Sequence, residues 1–511
     1  MTAGLPPLRR GAAAPRPAVR RLRRVFPHAY TVFLVLLACY AYFIPRSGPA
    51  DWVASSRAAL TFALVERGSV DIDAHHANTG DKAFYRGHYY IVGSVGPSAA
   101  ALPAYAMFRA VAAPPPVAGQ PAVGPPGAGG GEVAPMPRYY RRALACMTLL
   151  AVSVPSAALG AAVFLVAERL VRRRDVAFAT ALVYGLATGA FPYSKALFQH
   201  QLAAFGLFVG FALCWRAAHS GARHGLWTAG LAFGFAIVSE YTVALPIACV
   251  AAWAWQAVPD RRALARVVLG AVPPGLLSAG YNFAAFGTPM PVGYRYHVVH
   301  AGIHGRGLMG MGAPSLEALY GITLSPFRGL LFLTPVLALV PAGLYWMRRG
   351  PAGARGAAAL VGAVIVTFVA YNSAYAFWSG GASVGPRYLV PMLPFAALPL
   401  AVAVERCWER APGRLLVAAL VLASGANVWA QTIGGQDYPR ADVWNPLVEQ
   451  AIPRLRAGDI AANYGHVVGL EGWASLLPLA AAVALLAGLH SAALRRGSAG
   501  LRAVQGPIPT S

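Results

Sequence analysis

The chain runs to 511 residues, 57% of them hydrophobic and only 12% charged, with a mean hydropathy of +0.53. A soluble globular chain carries about a quarter charged residues, so this composition belongs to a protein dissolved in lipid. The formal charge of +24, from 42 basic against 18 acidic residues, does not point to nucleic acid, because no basic stretch stands free of apolar neighbours.

Seven arginines precede residue 25 and an apolar run follows from about residue 28. No small-residue cleavage site comes after it, so it reads as an uncleaved first span. Crossing about 30 Å of hydrocarbon needs about 20 apolar residues. Runs of that kind lie at 28–45, 142–167, 176–193, 199–215, 225–241, 242–258, 266–285, 329–347, 356–376, 389–404, 414–431 and 472–492. A further run at 91–112 is interrupted by Gly93, Gly96, Pro97 and Pro103. If it does not span, the clusters at Arg169–Arg174, Arg261–Arg266, Arg348–Arg355, Arg406–Arg414 and Arg495–Arg502 join the N-terminal arginines on one side, in short turns. The positive-inside rule makes that side cytoplasmic. The expected fold is therefore an all-α polytopic membrane protein of about twelve transmembrane helices with both termini cytoplasmic. Residues 1–27 form a basic N-terminus, 28–492 the membrane domain and 493–511 a tail. The long loops 46–141, 286–328 and 432–471, and the short 377–388, then face outward, and long loops are where function gathers.

In the first outer loop, Ser55 or Ser56 is expected to cap a surface helix ending at Gly68, with Ala59, Leu60, Ala63 and Leu64 on its apolar face. Residues 113–137 are Pro/Gly-rich low-complexity sequence and read as a tether. The five cysteines include no CxxC pair, so no disulfide framework is implied.

Asp51 stands a few residues after the first span, where partial desolvation raises a carboxyl pKa and strengthens it as a base. Asp71 and Asp73, two apart, share a face of an extended segment and suit either a metal pair or a turn. Arg57, Lys82 and His88 lie in the same loop, beside Asp81. His200, in the segment FPYSKALFQHQLAAF with Lys195, suits a ligand or an interfacial anchor. Glu240 lies at a membrane boundary, where an ionisable group is functional or paired. Arg295, Arg328 and Arg387 each sit among aromatics and Gly/Pro backbone, and a guanidinium fork suits a lipid phosphate.

The segments SSRAALTFALVERGSVDIDAHHANTGDKAFYRGHYY, PYSKALFQHQLAAF, YNFAAFGTPMPVGYRY, EALYGITLSPFRGLLFLTPVLAL and WSGGASVGPRYLVPMLPF resemble the GT-C glycosyltransferases, which include protein O-mannosyltransferases and lipid A aminoarabinose transferases. The resemblance is to a bacterial branch and extends from about 50 to 400. It implies an inner-membrane enzyme that moves a sugar from a polyprenyl-phosphate carrier to an extracytoplasmic envelope acceptor, with inversion. It also implies that Asp51, with Asp71 and Asp73 as further candidates, supplies catalytic acid–base chemistry. Arg57, Lys82, His88, His200, Glu240, Arg295, Arg328 and Arg387 would then bind substrate or lipid phosphate. The expected partners are the lipid-linked sugar, its acceptor and membrane lipid, with no nucleic acid; a divalent metal is permitted but not required. The chain departs from the family pattern in lacking an acid next to Asp51 and an Asp-Lys after the Tyr89–Tyr90 pair. Two other functions share this layout: a transporter or flippase, and a GT-C-fold partner without activity. Against the transporter stand the absence of a repeat and the crowding of polar groups into the outer loops.

Overall fold

A computed structural model describes residues 17–114, 132–221, 223–304, 310–350 and 352–504; side chains are described from residue 27 to 495 within these, except at 352. Most of the expected tether, and both chain ends, lie outside the described residues.

The chain is a helical membrane protein. Among the described residues, seven helices are long and apolar enough to cross a bilayer: Arg138–Ala167, Gln199–Ser220, Arg261–Phe286, Gly353–Ala374, Arg387–Trp408, Ala411–Ile433 and Gly472–Arg495. Pro27–Ala41, Leu226–Ser239 and Tyr241–Ala257 are shorter apolar helices. The remaining two expected spans are broken. Residues 176–193 divide into Arg174–Leu186 and the short turn Ala190–Ser194. Residues 329–347 divide into Leu330–Leu333, the 3₁₀ turn Pro335–Leu339 and Val340–Arg348. Proline at 335 and 341 removes backbone donors, and irregular backbone survives at membrane depth only where neighbours satisfy it. Helix Ala411–Ile433 does so: Ser424 Oγ accepts from Val336 N at 3.0 Å, and Asn427 Nδ2 donates to Phe332 O at 2.8 Å.

Close helix approach uses small residues, as expected where lipid removes the hydrophobic drive between helices. Helices Leu226–Ser239 and Arg261–Phe286 touch through Gly230 and Gly270. A Cβ at Gly230 would lie 1.9 Å from Val267 O, and one at Gly270 2.1 Å from Trp227 O.

The first helix, α1 (Pro17–Ala41), leads through residues 42–51 to α2 (Trp52–Arg67). Asp51 caps α2, accepting from Ala54 N at 2.9 Å, and Gly68 ends it in the left-handed conformation. The expected cap at Ser55 or Ser56 is corrected: both lie inside the helix, and Ser55 Oγ instead accepts from Gly48 N at 2.7 Å. The helix α2 is also packed on more than its expected apolar face. Ala54, Ala58, Ala59, Leu60, Phe62 and Ala63 are all buried, so both faces meet protein. One face packs on α3 (Gly96–Val111), which occupies the interrupted run, and is tied to it by Ser98 Oγ donating to Arg57 O at 2.9 Å.

The other face of α2 meets a hairpin that the sequence did not suggest. Strands β1 (Lys82–Tyr85) and β2 (His88–Ile91) pair antiparallel, Lys82 opposite Ile91 and Tyr85 opposite His88. The two-residue turn Arg86–Gly87 has positive φ at both positions, the geometry that matches strand twist. Residues after helix Arg261–Phe286 extend this sheet, with Val298 N donating to Lys82 O at 3.0 Å.

Candidate active site

Described residues of the loops 46–141, 286–328, 377–388 and 432–471 meet in one junction, where Val298 N donates to Lys82 O, Arg46 Nε to Gln436 O, and Arg328 to the carbonyls of Ser379, Gly381 and Pro439. The α2 cap points Asp51 into this junction. One oxygen serves the cap, while Oδ2 is buried and has no hydrogen-bond partner among the described residues. Burial pushes its pKa up to about 6, and only partly do the Ala54 N–H, Arg46 and Arg387 hold it down. A carboxylate with one oxygen fixed and the other free is placed to take a proton near neutral pH.

Asp81 stands at the entry to β1, where the loop extending the sheet brings His297 to it. His297 Nε2 is 3.5 Å from Asp81 Oδ1, and Arg57 Nη1 of α2 is 3.5 Å from Oδ2. His297 Nδ1 accepts from Val299 N at 3.1 Å, which leaves the Nε2 proton facing Asp81 in the neutral ring. Burial opposes the charge of Asp81, yet His297, Arg57 and Arg387 together hold its pKa well below the usual carboxylate range. The two acids of the junction are thus pushed apart: Asp81 remains ionised, and Asp51 is the one that titrates.

Cations surround these acids. Arg387 donates from Nη2 to Tyr388 Oη at 3.2 Å, while its Nε is buried without a hydrogen-bond partner among the described residues. Arg46 lies 3.6 Å over the Tyr438 ring and is tied by Nε to Gln436 O. Lys195 is buried against the Phe43 ring, 4.9 Å from its centroid, and burial plus Arg46 lower its pKa well below the usual lysine value. The guanidinium groups of Arg46, Arg57 and Arg387 outnumber Asp51 and Asp81, so the junction carries net positive charge that suits an anion.

His200 and Glu240 form a buried pair, Nδ1 to Oε2 2.8 Å, and His200 meets Tyr388 edge to face at 5.7 Å. Glu240 is therefore paired, and its pair backs the tyrosine that Arg387 touches.

Other expected site residues lie elsewhere. Asp71, Asp73 and His88 form a separate cluster whose ligand atoms lie within 4.8 Å of one another, the kind of group that could hold a metal. Their groups are also engaged locally: His88 Nδ1 lies 2.7 Å from Asp73 Oδ2, Tyr89 N donates to Asp73 Oδ1 at 2.7 Å, and Arg67 reaches Asp71 at 3.2 Å. The charges that act most on Asp51 are those of Arg46, Arg387 and Asp81. Lys82 donates to His76 O at 2.8 Å and lies 4.9 Å over Tyr89, with burial lowering its pKa to about 8. Arg295 sits exposed on the turn Gly293–Tyr296, two residues from the His297 that does reach the site.

For Arg328 the phosphate expectation fails on hydrogen-bond capacity. It is 1% exposed, and it donates to the carbonyls of Phe327 (2.9 Å), Ser379 (3.3 Å), Gly381 (2.8 Å), Pro439 (3.0 Å) and Arg440 (3.2 Å). It joins three loops and has no fork left for a ligand. Arg328→Gln is expected to destabilise the junction by about 3 kcal/mol or more through orphaned carbonyls, read as a lowered Tm of the purified protein.

Arg46, Asp81, His297 and Tyr388 were not expected as site residues, and Lys195 only marked its segment. For Arg46 a signal existed, since a cation follows the first apolar run within five residues of Asp51. Asp81 and His297 become partners only through the sheet.

Fold and junction together define a helical membrane protein with a buried acid–cation site where its loops meet. No protein-family model matches the chain, and no curated protein matches it. Among solved structures it is similar to ArnT from Cupriavidus metallidurans, in a crystal structure bound to undecaprenyl phosphate. That likeness has a TM-score of 0.45 and 16% identity, covering 94% of this chain and 78% of that one. A likeness at this level leaves fold family and function to be argued from the chain's own residues.

Proposed function

We propose that the protein is an inverting glycosyltransferase of the GT-C type, moving a sugar from a polyprenyl-phosphate carrier to an acceptor hydroxyl on the outer side of a bacterial inner membrane. The observation that carries this is the free Oδ2 of buried Asp51 beside Arg46 and Arg387. In the proposed step Asp51 takes the proton of the acceptor hydroxyl, whose oxygen forms a bond to the anomeric carbon. The bond from that carbon to the phosphate oxygen breaks, its electron pair leaves on the polyprenyl phosphate, and configuration inverts. Arg387 and Arg46 stabilise the charge gathering on the leaving phosphate. Asp81, ionised and held by Arg57 and His297, faces the positive charge developing on the sugar. The acid that the sequence lacks next to Asp51 is in this reading supplied by the hairpin.

The test is mass spectrometry of a deletion strain, comparing polyprenyl-monophosphate sugars and envelope glycans with the parent. One carrier sugar should accumulate while one glycan residue disappears. Unchanged carriers and glycans would overturn the proposal in favour of transport or an inactive fold.

A further inference from the structure

A second feature adjoins the charged junction. Residues 310–315 pair antiparallel with the end of helix Gly353–Ala374 and the residues just beyond it. Gly312 N donates to Ala374 O at 2.8 Å, Ala376 N to Gly310 O at 2.9 Å, and Ser315 N to Ser373 O at 2.9 Å. Beside this ladder lies an open cleft of about 480 Å³, lined among others by Gly312, Ser315, Ser373, Tyr375 and Trp378. That volume is within the range of small-molecule sites.

The lining selects a ligand chemistry. Among the described residues no charged side chain borders the cleft, so these walls offer a phosphate or carboxylate no ion pair. Ser315 Oγ accepts from Ala318 N at 3.0 Å, leaving its own proton to donate; Ser373 Oγ donates to Ala370 O at 3.0 Å, leaving lone pairs to accept. A ligand hydroxyl, both donor and acceptor, complements that pair. Trp378 adds a rigid aromatic wall, wedged so closely on Gly321 that a Cβ there would meet the indole at 2.3 Å, and set edge-on to Phe327 at 6.0 Å. An apolar ring face beside hydroxyl and peptide groups matches a sugar, whose C–H faces are apolar and whose rim is polar. An acyl chain would leave the hydroxyls unpaired.

Aromatic contacts link the cleft to the reaction centre. Tyr375 lines it, places its hydroxyl 3.4 Å from His304 Nδ1, and meets Tyr388, the partner of Arg387, edge to face at 5.4 Å. We infer that this cleft is the acceptor subsite and that it takes an uncharged sugar ring, so that the acceptor is a neutral glycan rather than a protein side chain or a phosphorylated lipid. This inference rests on the transferase reading above for the word acceptor, but not for the sugar.

The test uses the full chain in lipid nanodiscs and saturation-transfer NMR with two pools: methyl glycosides of neutral hexoses, pentoses and N-acetylhexosamines, and their uronate and phosphate counterparts. A Cβ at Gly312 would have only Ala374 O within 4 Å, at 3.8 Å, so a side chain can start from this lining position without a clash; Gly312→Phe is the variant meant to fill the cleft, and Gly312→Ala controls for folding. Saturation of neutral rings, cut at least fivefold in Gly312→Phe and kept in Gly312→Ala, is the expected result. Saturation of the anionic pool alone, none in either pool, or signals unchanged by Gly312→Phe would overturn the inference. Undecaprenyl phosphate binding is followed in parallel and should survive Gly312→Phe. Its absence in the wild type beside an intact sugar signal would count against the carrier reading while supporting the sugar site.

Discussion

Asp51→Asn should slow transfer, lowering kcat/KM by about 10²–10⁴-fold, while leaving the protein as stable as the parent or more so. The amide oxygen can still accept from Ala54 N, so the cap of α2 survives, and asparagine ranks with aspartate at that position. The stability sign follows from the direction of the shift. Burial raises the Asp51 pKa from 3.8 to about 6, so the folded state holds its proton more tightly than the unfolded chain. Ionised Asp51 therefore weakens the fold above that pH, by an amount on the order of 2–3 kcal/mol, and a neutral amide removes the penalty. Activity has the opposite dependence. The base must be ionised, so kcat/KM should fall as pH drops through about 6, and residual activity in Asp51→Asn should lack that limb. A thermal melt and a pH–rate profile on the same two preparations check both halves. A mutant that loses activity by losing its Tm would make Asp51 a cap and nothing more.

The membrane spans were legible because hydrocarbon imposes its demand on every residue of a segment, which composition alone reveals. The breaks were less so. Pro335 and Pro341 mark 329–347 as irregular, but only Ser424 and Asn427, far along the chain, make that irregularity tolerable inside the membrane. The site divides the same way. Asp51 could be singled out from its distance to the first span, and Arg387 from its aromatic and glycine neighbours. Arg328 carries the same local signature as Arg387, yet five carbonyls from three loops engage all three of its nitrogens. Local sequence states which donors exist; whether they are already spent depends on loops more than 100 residues away, such as Pro439. Asp81 illustrates the converse. Nothing beside it distinguishes it from Asp71 or Asp73, and it is set apart by Arg57 and His297, brought by a helix and a sheet extension.

That contrast between the two arginines yields the second large effect. Arg387→Gln is expected to lower kcat/KM by about 10²–10³-fold, or about 2.7–4 kcal/mol, the loss typical of removing one group that stabilises transition-state charge. Arg387 also lowers the pKa of Asp51, so its removal should carry the acidic limb of the pH–rate profile above about 6. The limb moves upward because a base that has lost a neighbouring cation holds its proton to higher pH. A polyprenyl phosphate, the product in the proposed reaction, should inhibit the variant more weakly than the parent, since one phosphate contact is gone. Arg387→Lys should recover part of the charge effect but not the fork, and should leave the limb near its parental position. A merely structural Arg387 would behave like Arg328, whose replacement lowers Tm and leaves both the limb and the inhibition of surviving protein unchanged. The pH profile therefore separates a group that acts on the reacting phosphate from one that only holds loops together.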